Sequence, residues 1–95
     1  MTAPLPLCPV VLSMLAARPR VPHEVAAELG TRGLTHGGYP AVHETLGRLE
    51  AAGLVRGRTR TRGQRTFSAT SRGRRELALQ RLVLLRVAAL QAATL

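Results

Sequence analysis

The apolar residues in the first half of the chain recur at spacings of three and four positions, which is the period of amphipathic helices. This period predicts a first helix over residues 9–17 and a second over residues 22–29, with Gly30 as its C-terminal cap. A third helix is predicted from residue 39 or 40 to residue 52, and Gly53 ends it. The positions that face inward on these three helices are Val11, Leu12, Leu15, Val25, Ala26, Leu29, Val42, Leu46 and Leu49.

The period changes to two after Gly53. Residues 55–60 and 65–69 alternate between the two faces of an extended chain, with a glycine-containing turn between them. Two such runs around a turn predict a β-hairpin. Thr70 or Ser71 can then cap a last helix, which is predicted to continue to about residue 94.

The predicted order of helix, helix, helix, hairpin and helix describes a mainly α fold with a small β-hairpin. This order is the arrangement of a winged helix-turn-helix domain, in which a helix enters the major groove. We expect a flexible N-terminal extension over residues 1–8, the winged helix-turn-helix domain over residues 9–70, and a C-terminal dimerisation helix over residues 71–95. The recognition helix is then residues 40–52, and the wing is residues 55–69.

The charge of the chain indicates a polyanionic partner. The sequence has 14 arginines against 5 glutamates, with no lysine or aspartate, so its net charge is +9. A surplus of this size favours nucleic acid as the partner, with a membrane surface as the second candidate. Because only 2% of the residues are aromatic, stacking on single strands is disfavoured and a duplex is favoured.

The two apolar ends of the chain do not have the pattern of membrane segments. Residues 1–17 lack a basic start and are interrupted by prolines, so we expect no signal peptide. The tail over residues 77–95 contains Arg81 and Arg86, which argue against a transmembrane span. The sequence therefore predicts a cytoplasmic, nucleoid-associated protein with no membrane partner.

Five arginines are concentrated in the predicted hairpin. In an extended strand the first three share one face, and no acidic residue lies between positions 56 and 75 to neutralise the group. A protruding loop of guanidinium groups suits contact with phosphates or insertion into a minor groove. The five candidate DNA contacts are Arg56, Arg58, Arg60, Arg62 and Arg65.

The outward face of the third helix supplies candidates for base contacts. Arg48 can bind a guanine or a phosphate, and His43 can contact either. Glu44 can accept a hydrogen bond from a cytosine amino group, or orient Arg48 four positions on. Tyr39, at the start of the helix, is the fourth candidate contact, and Gly47 leaves room for DNA to approach closely.

Apolar residues surround nearly the whole circumference of the predicted last helix. A small domain can cover only one side of such a helix, so the remaining surface implies a partner, most simply the same helix of a second subunit. The expected dimer contacts are Leu79, Leu82, Val83, Leu85 and Leu90.

The sequence offers little for catalysis, metal binding or a cofactor. No serine has a nucleophile-elbow pattern, and no glycine-rich phosphate loop follows a strand. The spacing of His23, His36 and His43 matches no compact ligand pattern, and Cys8 is the only cysteine, which excludes an intramolecular disulfide. We therefore expect no enzyme, no metal, no cofactor and no small-molecule ligand.

Several stretches of the sequence resemble bacterial winged helix regulators. LGRLEAAGLV (residues 46–55) is similar to the junction between recognition helix and wing that several such families share. FSATSRGRREL (residues 67–77) resembles the second wing strand and the start of the next helix in PadR-like and MarR-like regulators. VLSMLAARP (residues 11–19) and the pair Tyr39-Pro40 also look PadR-like. The residues that carry the second match are Phe67, Thr70, Gly73 and Leu77.

The sequence departs from the PadR-like pattern at the second helix. PadR-like proteins usually open this helix with a His-Gly-Tyr-Glu-like motif, whereas residues 21–24 are VPHE, so only Glu24 matches. PAVHETLGRLEAAGLV (residues 40–55) also resembles the recognition helix of Fur-like regulators, but the metal ligands expected of those proteins are missing. The PadR-like resemblance implies a dimeric transcription factor, usually a repressor, whose final helix supplies the dimer contact.

The sequence therefore predicts a homodimeric, sequence-specific regulator of transcription that binds double-stranded DNA. Two alternatives stay open. The first is a winged helix module that docks on another protein through its apolar C-terminal helix. The second is a non-specific nucleic-acid-binding architectural protein.

Overall fold

The computed structural model describes residues 7–33, 37–59 and 63–93 of the 95-residue chain. Four helices and one antiparallel hairpin follow each other in the predicted order, and the predicted fold class is confirmed. The elements are α1 (Leu7–Ala17), α2 (Pro22–Thr31), α3 (Gly38–Ala51), β1 (Val55–Thr59), β2 (Arg65–Ala69) and α4 (Ser71–Ala93).

The core forms where the apolar faces of the first three helices meet. Eight of the nine positions predicted to face inward are buried, and Ala26 packs against them partly buried. The hairpin and α4 close this core with Val55, Phe67 and Leu77. Because each helix presents one stripe to this centre, its opposite face is left to solvent or to a partner.

The hairpin register separates its side chains into two sets. Val55, Gly57 and Thr59 pair with Ala69, Phe67 and Arg65 on the inner face. Arg20 forms an isolated antiparallel β-bridge with Phe67: its N–H donates to the Phe67 carbonyl at 2.9 Å, and its carbonyl accepts from the Phe67 N–H at 2.8 Å. The sequence had indicated only a break between helices at this point. The wing is therefore tied to the segment between α1 and α2.

Three predicted boundaries move. α1 begins at Leu7, two residues before its predicted start, and the rest of the predicted N-terminal extension lies outside the described residues. The prediction of Gly30 as a C-terminal cap is wrong, because α2 continues to Thr31 and the left-handed conformation after it is adopted by Gly33, with φ +69°. α3 begins at Gly38, one residue before its predicted start.

The junction between wing and α4 explains the threonine and glycine of the PadR-like stretch. Thr70 caps α4, because its hydroxyl accepts from the Gly73 N–H at 3.0 Å and donates to the Gly53 carbonyl at 2.7 Å. Gly73 is buried against the end of α3, and a Cβ there would overlap the carbonyl oxygen of Leu54. Leu77, one turn later, enters the core.

Candidate nucleic-acid interface

The outward face of α3 is formed by the residues predicted for it. Val42, Leu46 and Leu49 are buried, and the 3.6-residue period turns the predicted contact positions away from them. A Cβ at Gly47 would meet nothing within 4 Å, so the middle of this face is open. The exposed positions are Tyr39, His43, Glu44, Gly47 and Arg48.

Glu44 and Arg48 form an ion pair along the helix. The Arg48 Nη2 atom lies 2.7 Å from Glu44 Oε1, and both side chains are well exposed. Pairs at this spacing contribute only about 0.3–0.5 kcal/mol, so an anionic or base partner can displace the contact at little cost. In the free protein Glu44 therefore orients Arg48.

Three aromatic rings from two helices lie together at one end of this face. The His23 ring of α2 stacks on Tyr39 with a centroid separation of 4.6 Å and an interplanar angle of 25°. His43 lies 6.0 Å from Tyr39, at the next turn of α3. The sequence had indicated His23 only as a surface or helix-end residue, since no periodicity connects positions 23 and 39. The contact extends the α3 surface onto the start of α2.

A cleft of about 420 Å³ connects this surface to the wing. One wall is the ring cluster of His23, Tyr39 and His43, and the opposite wall includes Gln64 and Arg65. α3 forms the floor between the two walls with residues that include Gly47 and Glu50. A molecule seated on α3 would therefore also be within reach of the inner side of the wing.

The wing arginines do not act as one group. Arg56 and Arg58 are exposed on the outer face of the hairpin, across from Ser68 and Thr66. Arg65 points to the inner face instead, where its guanidinium lies 4.9 Å from the centroid of the Phe67 ring. The candidate contacts Arg60 and Arg62 lie outside the described residues.

The expectation that no acid neutralises the hairpin is wrong for Arg65. Glu50, near the end of α3, lies 2.5 Å from Arg65 Nη2 through its Oε2 atom and 3.3 Å from Nη1 through Oε1. The same carboxylate accepts from the Gly57 N–H at 3.3 Å. The hydrogen bonds from Arg65 hold the pKa of Glu50 below its ordinary value, and the Gly57 amide adds to this effect. Glu50 thus connects α3 to both strands of the wing.

Gly57 makes room for this arrangement. A Cβ at this position would overlap the Arg65 guanidinium and lie 2.9 Å from Phe67 Cε1. Arg65 can therefore lie over Phe67 and reach Glu50 only because β1 has no side chain there. Sequence alternation predicted this face, but not the close approach across it.

The remaining ion pairs lie away from α3. Glu24 accepts from the Val21 N–H at 3.3 Å and pairs with Arg18, and these contacts lower the pKa of its carboxyl. Arg20 is buried against Glu28, and burial lowers the pKa of its guanidinium. Among the described arginines, those without a carboxylate partner are Arg56, Arg58, Arg72, Arg74, Arg75, Arg81 and Arg86. The outer wing and α4 therefore carry the unpaired positive charge.

Beyond its first two turns, α4 has no buried residue among those that the structure describes. Gly73 and Leu77 are its buried residues, and from Leu79 onward its large apolar side chains are 45–69% exposed. No helix in the described part of the chain has the length and hydropathy needed to cross a membrane. All five predicted dimer contacts belong to this exposed set: Leu79, Leu82, Val83, Leu85 and Leu90.

The cysteine and the histidines considered in the sequence analysis form no metal-binding cluster among the described residues. Cys8 is a free thiol in α1 and packs, partly buried, against the core. Within residues 7–33, 37–59 and 63–93, no three histidine, cysteine or acidic side chains lie close enough together to hold a metal ion. The third predicted histidine, His36, lies outside these ranges.

Comparison with known proteins finds similarity at the level of structure. No protein-family model and no curated protein sequence matches the chain. A PadR-like transcription factor from Bacteroides fragilis is 16% identical with a TM-score of 0.79, covering 94% of this chain and 89% of that one. A PadR family transcriptional regulator from Eggerthella lenta is 23% identical with a TM-score of 0.71, covering 90% and 80%.

A third similar structure is Bacillus subtilis PadR in complex with operator DNA. It is 17% identical with a TM-score of 0.68, and the match covers 76% of this chain. This chain spans only 44% of the length of that protein. At these identities the comparisons establish the fold. The chain has the winged helix fold of PadR-like transcription regulators, as the sequence predicted.

Proposed function

We propose that this protein is a sequence-specific regulator of transcription that binds double-stranded DNA as a homodimer and acts as a repressor. The observation that carries the proposal is the open polar face of α3 beside a wing whose outer arginines have no acidic partner. A helix with this exposure fits a major groove, and unpaired guanidinium groups favour a phosphate backbone.

The outer face of α3 supplies the contacts to bases. Arg48 leaves its weak pair with Glu44 to bind guanine or a phosphate, and the freed Glu44 can accept from a cytosine amino group. His43 and Tyr39 contact bases or backbone from the ring cluster. Gly47 lets the helix axis approach the base edges, because no Cβ stands between them.

The outer wing supplies backbone contacts. Arg56 and Arg58 lie two positions apart on one strand face, and Arg60 and Arg62 follow them in the sequence. Each phosphate neutralised releases counterions, so each contact adds about 0.9 to the slope of log affinity against log salt. A footprint of this kind predicts steep salt dependence together with sequence preference from α3.

The exposed apolar surface of α4 supports the proposal of a homodimer. Seven leucine and valine side chains that follow Leu77 are 45–69% exposed, so burying the exposed part of one gains about 1–2 kcal/mol. A two-fold pair of these helices would present two copies of α3, so the operator should contain two related half-sites about one helical turn apart, or a multiple of it. A regulator of this kind works on the nucleoid, in the cytoplasm.

The bare α4 also favours a second candidate function. The same surface would serve a winged helix module that docks on a different protein, and that module would have little preference among DNA sequences. A non-specific architectural protein would show equal binding to all duplexes. The three candidates therefore differ in one measurable quantity, the ratio of affinities for a specific and a scrambled duplex.

Fluorescence anisotropy across a salt series measures this ratio. The labelled duplexes are the DNA upstream of the protein's own coding sequence and a scrambled duplex of equal length. The proposal predicts that the protein still binds the upstream duplex at a moderate salt concentration at which it no longer binds the scrambled duplex. Equal and steeply salt-dependent binding to both would leave only backbone attraction, and no binding to either would favour the protein-docking module.

A further inference from the structure

Glu50 has a geometry that the DNA contacts alone do not explain. Its carboxylate lies beside the cleft between α3 and the wing, where its negative charge opposes the approach of a phosphate. It nevertheless accepts hydrogen bonds from Arg65 on β2 and from the Gly57 N–H on β1. A single side chain near the end of α3 therefore holds both strands of the wing.

We propose that Glu50 is a positioning residue that fixes the angle between the wing and α3, and that Arg65 acts through Glu50 rather than on DNA. This inference rests on the proposed function and assigns these two residues within it. Its structural basis is the set of three contacts at 2.5–3.3 Å, together with Gly57, where any side chain would displace Arg65.

The position of Arg65 supports the proposal that it acts through Glu50 rather than by contacting DNA. Its guanidinium is held over the Phe67 ring at 4.9 Å, and Phe67 is buried in the core. Phe67 also makes two backbone hydrogen bonds to Arg20, so this point of the wing is anchored on two sides. Releasing Arg65 toward a phosphate would expose the Glu50 carboxylate in the cleft and free the wing to pivot.

For the DNA affinity of a Glu50 variant, the proposal predicts a change opposite in sign to the change that simple electrostatics predicts. Glu50→Gln removes one negative charge, so a purely electrostatic account expects tighter binding to DNA. A positioning role expects weaker binding, by about tenfold, because the amide keeps only one accepting oxygen and no charge, so the two-oxygen ion pair with Arg65 is broken and the wing loses its fixed angle. Glu76→Gln is the matched control, since it removes the same charge from α4, where Glu76 forms no hydrogen bond or ion pair with the described residues of the wing.

A double-mutant cycle separates positioning from direct contact. If Arg65 acts through Glu50, the variants Glu50→Gln and Arg65→Gln each weaken binding about tenfold, and the double variant is no weaker than either single variant. If Arg65 binds phosphate directly, the two losses multiply to about a hundredfold. Multiplied losses would overturn the proposal, and so would a Glu50→Gln protein that binds as tightly as Glu76→Gln.

Hydrogen exchange of the wing amides tests the same proposal without DNA. The full-length Glu50→Gln and Arg65→Gln proteins should exchange the amides of β1 and β2 several-fold faster than the wild type, whereas Glu76→Gln should match the wild type. Equal exchange in all four proteins would overturn the proposal. If the wild type binds no duplex, the function proposed above fails, and the exchange measurement alone decides the role of Glu50.

Discussion

The described residues between positions 7 and 77 bury most of their large apolar side chains, whereas residues 79–93 leave theirs exposed. Among the described residues of the first region, Tyr39 is the one large hydrophobic side chain that is exposed. In the second region, seven leucines and valines are 45–69% exposed on one helix. The same residue types thus have opposite surroundings in one chain. Apolar residues that form a single stripe pack within the domain, and apolar residues that surround a helix require a second molecule.

The largest expected effects come from one leucine-to-aspartate substitution in each region, which should prevent folding in the first region and dimerisation in the second. Leu46→Asp buries a charge in the core and should unfold the chain, because an unpaired buried carboxylate exceeds the stability of a small domain. Leu85→Asp should leave the domain folded but raise the dimer dissociation constant about a thousandfold, since a symmetric interface loses two leucines at about 2 kcal/mol each. Circular dichroism and sedimentation measure the two effects. A Leu85→Asp protein that stays dimeric would contradict the assignment of α4.

Substitutions at two glycines test how tightly α4 is packed where it joins the first region. Gly73→Ala should lower the free energy of unfolding by about 3 kcal/mol, because the new Cβ overlaps the Leu54 carbonyl where α4 joins the domain. Gly47→Ala is the control, with open space around it, and should raise the free energy of unfolding by about 1 kcal/mol. Urea titration measures both values. Equal effects at the two positions would mean that Gly73 is not close-packed.

The arginines of the outer wing test the first region as a binding surface. Arg58→Ala should weaken binding to every duplex by a similar factor, about tenfold, and reduce the salt slope by about 1. Its unfolding midpoint should not change, because the exposed side chain has no carboxylate partner. Anisotropy at several salt concentrations measures the slope. An unchanged slope would place Arg58 outside the DNA contact.

The smallest effect is the pH dependence of the Glu50–Arg65 pair. Because the pKa of Glu50 is lower in the folded chain than its ordinary 4.5, the pair stabilises the fold above that value. The stabilisation is lost as the pH falls through the lowered pKa, and for partly exposed groups it stays below about 1 kcal/mol. NMR titration of the Glu50 carboxyl measures the pKa directly. Arg65→Gln should raise it, and an unchanged pKa in that variant would contradict the pairing.

The sequence predicts local features of this molecule well. The periods of 3.6 and 2 depend on neighbouring residues, and they predict four helices, the hairpin and eight of nine inward positions. The surplus of apolar residues on the last helix is also visible in the sequence, because one side of a helix is all that a small domain can cover. Residue type and position predict Thr70 or Ser71 as the cap of the last helix, and the hydroxyl of Thr70 makes the capping hydrogen bond.

Contacts between distant positions could not be predicted in the same way. Glu50 and Arg65 are 15 positions apart, and their pairing depends on the angle at which the wing leaves α3. Arg20 lies in the predicted break between the first two helices, and nothing in the sequence indicates that it pairs with Glu28 and bridges to Phe67 of the hairpin. The stacking of His23 on Tyr39 depends on how α2 crosses α3. Composition and spacing carry no information about such crossings.

The central claim is that α4 joins two copies of the chain so that two α3 helices read one operator. Sedimentation equilibrium of the purified protein at micromolar concentration tests it most directly. The account predicts a mass of twice 10.2 kDa for the free protein, a complex of two chains with one duplex, and a mass of 10.2 kDa for the free Leu85→Asp variant. A free wild-type protein of 10.2 kDa that binds one chain per duplex would contradict the account.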